Sequence, residues 1–378
     1  MTKVNNKIPS DIVKQYIKLL DEKKAQTTYK IEYVSAYVEK WLYVMANSDK
    51  VKNINFVDCM CNAGVYKDGE KGTAIRVLEL FNKFALEHTN KKFNIILNDY
   101  NEKRLDVMKK VMFDIVGIKA KNINVVFENK DVNEFLENTL FFSSYFNCYP
   151  YRSANLIFVD PYNFSTVKIS TLNKFLSQNY CELLFNVFTS DYVRNHQSDE
   201  KMKKFCAEEG ITSQTQEDLI KFIKNKLKVG SIKYSFAYEF KITTNIELYQ
   251  IMFFTPNIAG LEKLKEALWD TFKGKSYHRN EKATQGEQIG IFSIDEVKDL
   301  SADGYSAEAK EMILEEFSGK TISFSDIEIF VIENTMLSSN HLIRYVLKPL
   351  ISEGKIIKVG NVKRANNYKD DKYTIGTK

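Results

Sequence analysis

Between residues 54 and 188 short apolar runs alternate with amphipathic stretches. The runs are INFV (54–57), FNIIL (93–97), INVVF (123–127), LIFV (156–159) and LLFNVF (183–188). Each is nearly continuous, as expected of strands buried on both faces. The stretches 73–88, 102–116, 131–139 and 168–179 carry helical spacing. This alternation predicts a mostly parallel sheet with helices on both faces. Farther on, YSFAYEF (234–240) and YQIMFF (249–254) flank a short polar stretch and predict an antiparallel hairpin at the sheet edge. Five parallel strands followed by such a hairpin is the layout of the class I S-adenosylmethionine (SAM) methyltransferase sheet, an α/β Rossmann-like fold. A dehydrogenase-type sheet more often finishes with another crossover helix.

The flanks have different patterns. Residues 11–48 read as two helices, the second placing Ile31, Val34, Val38, Leu42 and Met45 in helical rhythm. They predict a helical cap (1–50) packed on a sheet domain spanning 51–285. The helix LEKLKEALWDTF (261–272) follows the last strand, and residues 276–300 read as a polar connection. From Ser306 onward AEAKEMILEEF is a helix ended by Gly319, and SFSDIEIFVIENT is a second. SSNHLIRYVLKPLISEG is a third, opening on serines that can cap it. KIIKV and DDKYTIG form a small hairpin across GNVKRANNYK. Three helices and a basic hairpin predict a winged helix-turn-helix at 300–378. Pro349 predicts a kink or an early end in the third helix.

A chain of 378 residues suits two or three such units. The net charge of +5 permits a nucleic-acid partner without demanding one. Its distribution says more: from Ser338 to the end there are nine Lys or Arg against three Asp or Glu. The five cysteines, at 59, 61, 148, 181 and 206, form no CxxC and no zinc-finger spacing, so reduced thiols and no metal are expected. The opening MTKVNNKIPSD has no apolar signal core, and no apolar run approaches the ~18 residues of a membrane span. A cytoplasmic protein without membrane contact is expected.

Candidate chemistry collects at the strand ends. In NFVDCMCNAGVYKDG (55–69), Asp58 follows the first strand and Gly64 lies six residues on. In a SAM site this loop wraps the methionine end, the acid can face the ammonium group, and small residues let the backbone approach. An ordinary turn with a buried Asp is the plain alternative. Asp99, at the tip of the second strand, is placed to accept from both ribose hydroxyls. Asp131 follows the third strand, where an acid can accept from an adenine amino group or cap a helix, and the two roles are compatible. Asp160 follows the fourth. By the rule for open α/β sheets these acids line one crevice.

VDPYNF (159–164) resembles the Asp-Pro-Pro-Tyr loops of amino-group methyltransferases. Asp160 and the carbonyls of the loop at Pro161 can accept the hydrogens of an exocyclic amine as the methyl group approaches. Tyr162 is the favoured ring to stack on a flipped base, with Phe164 the other candidate. Asp191 and Arg194, just past the fifth strand, are placed on the acceptor side or on a surface loop. Carbon-5 methylation of cytosine would need a thiol near this loop, usually as Pro-Cys, and no Pro-Cys occurs.

Taken in order, these residues resemble the three-Cys-motif partner protein family, methyltransferase-like proteins of bacteria and their mobile elements. KIEYVSAYVEKWLYVM looks like its opening helix. FVDCMCNAGVYKDGEKGTAI resembles its first-strand motif, with Asp58, Gly64, Tyr66, Gly72 and Thr73 fitting. FVDPYNF and GLEKLKEALWDTF resemble its Asp-Pro-aromatic motif and its last helix. The resemblance implies a methyltransferase-like fold with a terminal winged helix. The family name refers to cysteines of a partner protein and says nothing about Cys59 or Cys61. Met60 stands where the family has Phe. Asn62 stands at its first glycine, and Asn tolerates left-handed backbone angles better than most residues.

A winged helix usually reads the DNA major groove with its third helix. Here that helix offers Ser339, Asn340, His341, Arg344 and Lys348 to bases, while Lys358, Lys363, Arg364 and Lys369 of the wing suit phosphates. Nucleic acid is the expected partner, DNA favoured over RNA, with a partner protein the competing one. The leading expectation is SAM-dependent methylation of a base at an exocyclic nitrogen. The alternative is a catalytically silent SAM- or nucleotide-binding partner protein that uses its winged helix on DNA or protein. A protein or small-molecule acceptor comes third. A dehydrogenase is last, because the first loop lacks Gly-x-Gly-x-x-Gly.

Overall fold

The computed structural model describes residues 7–147, 152–243, 246–272, 277–278, 294–359 and 371–376. The chain divides into two units, one of residues 1–257 with 276–280 and one of residues 258–275 with 281–378.

The first unit opens with α1 (Ser10–Tyr16) and α2 (Ala25–Ala46) and continues through β1 (Val51–Asp58), α3 (Thr73–Glu87), β2 (Lys92–Asn98) and α4 (Glu102–Lys110). Next come β3 (Ile123–Glu128), α5 (Val132–Glu137), α6 (Thr139–Phe146), β4 (Arg152–Val159), α7 (Ile169–Gln178) and β5 (Glu182–Val187). The helices α8 (Thr189–Asn195), α9 (Glu200–Glu209) and α10 (Gln216–Leu227) lead to β6 (Tyr234–Thr243) and β7 (Ile246–Thr255). A two-residue strand, β8 (Tyr277–His278), completes the sheet.

The strand order is β3-β2-β1-β4-β5-β7-β6-β8. The first five strands are parallel, and β7 runs antiparallel between β5 and β6. This is the class I SAM-methyltransferase arrangement, an α/β Rossmann-like sheet. The expected hairpin is present, and its second strand is the one that pairs inward on β5. Phe56 and Val57 of β1, Leu156 and Ile157 of β4 and Leu183 and Leu184 of β5 have no exposed surface. That accounts for the continuous apolar runs. Chain direction across the sheet reverses between β1 and β4, which opens a crevice at their carboxyl ends.

The expected cap is bonded into this unit. On α2, Val34, Val38 and Leu42 are fully buried, as their spacing predicts, together with Tyr33, Tyr37 and Trp41. Tyr37 Oη donates to Glu182 Oε2 (2.8 Å), and Thr255 Oγ1 donates to Glu182 Oε1 (2.7 Å). Burial pushes the Glu182 carboxyl above the usual range, and these donors pull it back.

The second unit begins with α11 (Ile258–Phe272). The sequence pattern assigned this helix to the sheet domain and drew the division at 285–300. The observed division falls after Asn257. Trp269 Nε1 donates to the Met336 carbonyl (2.7 Å), and the Lys265 ammonium donates to the Thr335 carbonyl, tying α11 to residues of the same unit. A helix over Ile294–Glu316 starts earlier than its apolar pattern indicated. Then follow β9 (Thr321–Ser323), a helix at Phe324–Asn334, the third helix, β10 (Ile356–Val359) and β11 (Lys372–Ile375). The small sheet has order β10-β11-β9, all antiparallel. This is a winged helix.

Ser338 caps the third helix in a reciprocal box with His341. The helix runs over Ser339–His341, widens into a π-helical turn at Leu342–Leu347, and resumes over Lys348–Ser352. Pro349 explains the widening. It has no N–H for the carbonyl four residues back, and its ring crowds that carbonyl. The helix therefore loosens ahead of the proline and continues past it.

Candidate functional site

The turn after β1 is held by the chain's own hydrogen bonds. Asp58 ends β1, with only 2% of its surface exposed, and accepts the Met60 N–H at Oδ1 (3.2 Å). Cys59 and Cys61 donate their backbone N–H to the carbonyls of Phe158 (3.0 Å) and Asn98 (2.9 Å), which locks the loop to β4 and β2. Asn62 then adopts φ 57°, and Gly64 follows at φ 70°. The left-handed step is thus taken by asparagine, a residue that tolerates it better than most. At Gly64 a Cβ would be strained by the left-handed backbone and would lie 2.4 Å from Met108 Sδ, so the methionine would have to shift. Cys59 and Cys61 are buried free thiols, pushed up by burial and by the nearby Asp58 carboxylate.

Asp99, after β2, is 5% exposed and accepts at both oxygens, from Asn62 N–H at Oδ2 (2.9 Å) and Asn101 N–H at Oδ1 (2.8 Å). A carboxylate has about four lone-pair positions, so capacity for further donors remains. Asp131 caps α5 through the Asn133 N–H (2.9 Å), the structural role foreseen for it. Asp160, after β4, is paired with the Lys30 ammonium at Oδ2 and accepts from Asn186 Nδ2 at Oδ1 (2.7 Å). Burial, opposed by the Met60 N–H and reinforced by the charges of Asp160 and Asp99, pushes Asp58 up to about 8.

A second cluster lies beside the first. Arg104, on α4, grips Asp21 with both terminal nitrogens (2.8 and 3.2 Å) and bonds the Asn62 side chain and the Tyr162 hydroxyl. The Tyr162 hydroxyl also meets Asn62 Oδ1. Tyr162 is 54% exposed, as a stacking ring requires. Phe164 is a correction: it is 4% exposed and packed on Tyr192 and Phe205, so it is a core residue and offers no face to a base. Asp191 holds this loop by accepting the Phe164 N–H (2.9 Å). Arg194 lies exposed on α8 and donates to the Ser190 carbonyl of its own helix (3.0 Å).

One polar cavity is lined by Asp21, Asp58, Asn62, Gly64, Tyr66, Thr73 and Asp160, among others. The structure thus brings the ends of β1 and β4 and the intervening loop to a single place. Sequence reasoning missed Lys30, Asp21 and Arg104. No motif surrounds Lys30, and only the packing of α2 beside the strands brings it to Asp160. The groups at these strand ends fit SAM in kind: the acids Asp58 and Asp160 in the cavity and Asp99 beside it for an ammonium group and hydroxyls, and a loop with Gly64 and Gly72 in close approach (Gly72 N to Gly64 O, 2.7 Å). The cavity opens to solvent, and its interior, about 20 Å³, has room for roughly one water.

On the winged helix Asn340, Arg344 and Lys348 are all exposed. The Arg344 guanidinium lies 5.0 Å from the Tyr345 ring centre. Lys358 of β10 pairs with Asp371 (2.6 Å). Lys363, Arg364 and Lys369 lie outside the described residues, as does Cys148.

Residues 276–362 match the family model of the GMT-like wHTH domain. No curated protein matches the chain. Among solved structures, a SAM-dependent methyltransferase from Methanosarcina mazei is 12% identical, covering 56% of this chain and 96% of that one, with a TM-score of 0.31. One from Aquifex aeolicus is 10% identical, covering 66% and 99%, with a TM-score of 0.27. Likenesses this remote say nothing of activity, and the fold rests on the strand order itself. Among the described residues no helix is long and apolar enough to cross a membrane.

Proposed function

We propose that this protein is a SAM-dependent methyltransferase that modifies an exocyclic amino nitrogen of a nucleic-acid base, DNA before RNA, in the cytoplasm. The observation that carries the reading is the convergence of Asp58, Asn62, Gly64 and Asp160 on one cavity at the β1–β4 reversal. SAM supplies an electrophilic methyl group. The chain's own residues do the rest. Asp58 would face the ammonium end, whose charge favours the ionised carboxyl over the proton it otherwise holds, Asp99 and Asp131 would serve the ribose and adenine, and Asp160 with the Pro161 loop would accept the amine hydrogens. Tyr162 stacks on the base. Asn340, Arg344 and Lys348 hold the duplex. Membership of the three-Cys-motif partner family is part of the same proposal, and it would add a partner protein. The test is calorimetry with SAM and, in parallel, NAD, followed by labelled-methyl transfer to total DNA and RNA. Absence of SAM binding overturns the reading.

A second reading has its own support. Asn62, Arg104, Tyr162 and Asp21 are bonded to one another, and Asn62 and Asp21 line the small polar cavity. A protein that binds the cofactor as a structural ligand, or not at all, and acts through its winged helix would have such a self-bonded crevice. SAM binding without transfer to any nucleic-acid acceptor supports this second reading.

A further inference from the structure

Asp160 is the group on which the proposed amine recognition depends, and both of its oxygens already have donors. The Lys30 ammonium holds Oδ2 and the Asn186 amide holds Oδ1 (2.7 Å). The two sources differ. Asn186 comes from β5, the fully buried strand next to Asp160, and Tyr33 Oη donates to its side-chain Oδ1 (3.4 Å). It is fixed. Lys30 comes from the first turns of α2 on a flexible four-carbon stem, which is an adjustable donor. The Lys30 and Asp160 side chains are 14% and 15% exposed, so the contact is shielded without being sealed.

We propose that Lys30 is a specificity-determining residue: its ammonium fills the amine position of the acceptor slot on Asp160, and an acceptor enters only by displacing it. The proposal rests on the methyltransferase reading for its biological sense but makes a binding claim of its own. An ammonium and an exocyclic amine both present N–H donors to a carboxylate, so they compete for Oδ2. The neutral amine lacks the charge and loses that competition unaided. It needs a second source of binding energy, and stacking on the exposed Tyr162 ring can supply about 1–3 kcal/mol per base. A neutral amino group with no ring to stack is excluded. A carbonyl or carboxylate is repelled by Asp160 itself. The slot therefore selects a flat, ring-borne amino group, as in adenine or cytosine.

The probes are adenosine and cytidine, with inosine and uridine as partners that lack the amino group. Binding of each to the full-length protein is followed by ligand-observed NMR. Lys30→Met should tighten adenosine or cytidine about tenfold, the strength of a shielded ion pair, and leave inosine and uridine unchanged. Lys30→Arg should bind as wild type does. Asp160→Asn should erase the preference for the amino-bearing nucleosides. Lys30→Gln keeps a donor without the charge and should fall between wild type and Lys30→Met, so it serves if the methionine variant does not fold. Equal affinities in wild type and Lys30→Met overturn the proposal. So does an equal gain for inosine, which marks Lys30 as a mere plug, and so does no binding of adenosine or cytidine by any variant. Failure of the methyltransferase reading looks different: the amine-selective gain stands while SAM neither binds nor donates methyl.

Discussion

The crevice at the β1–β4 reversal and the third helix of the winged helix carry opposite kinds of polarity. In the crevice Asp58 and Asp99 are almost wholly buried, and the charges of Asp99 and Asp160 are met by backbone amides, Asn186 and Lys30. On the third helix Asn340, Arg344 and Lys348 stand in solvent. Burial explains the difference. A charge removed from water must find partners inside the fold, so a buried site satisfies itself before a ligand arrives. An exposed charge is already paid for by water and can meet a phosphate or a base edge without rearranging its neighbours. Under the proposed function the crevice must exchange partners to work, and the helix need only dock.

The sharpest way to break this contrast is Asp160→Ala. Under the proposed function methyl transfer should fall by about a hundredfold or more, because the amine would lose its acceptor and its orientation. SAM affinity should change little, and calorimetry beside a transfer assay separates the two. Next in size is Gly64→Ala. Its Cβ would stand 2.4 Å from Met108 Sδ, at φ 70°, so unfolding in denaturant should show a loss of about 2–3 kcal/mol. No substitution among the exposed positions of the third helix should approach that cost.

Asp58 gives a pH test. Its carboxyl is pushed up to about 8 in the folded protein, against about 3.9 in an unfolded chain. Between those values the folded state holds a proton that the unfolded state has lost, so stability declines as pH rises from about 4 to about 8. Asp58→Asn removes this dependence. The difference in unfolding free energy between the two proteins should shift by a few kcal/mol over that range, in favour of the variant at high pH. The smallest effect belongs to the surface. Arg344→Ala should weaken nucleic-acid binding by about tenfold at a fixed salt concentration, with the fold stability unchanged. A large stability loss from Arg344→Ala would erase the contrast between the two regions.

Much of this was legible in the chain. The apolar runs marked β1 to β5 because both faces of a parallel strand are buried, and the polar break before YQIMFF marked the edge hairpin. The left-handed backbone at Asn62 was foreseeable from residue type. Phe164 was misjudged, since an aromatic two residues past Tyr162 reads the same whether it faces solvent or the core; only the packing of Tyr192 and Phe205 decides. The helix at 258–272 was assigned by its place after β7, whereas the contacts of Lys265 and Trp269 join it to the second unit.

What the sequence determined by itself is local: strand burial, the loop after β1, the acid at each strand tip and the serine cap at 338. These follow from neighbours along the chain, whose spacing fixes periodicity and backbone angle. What only the tertiary structure decided is which distant groups meet. Lys30 reaches Asp160 across 130 positions, and Arg104 reaches Asp21 across 83. Such pairings arise because buried charges must be matched wherever the fold brings a counter-charge within reach, and no pattern along the chain records that requirement.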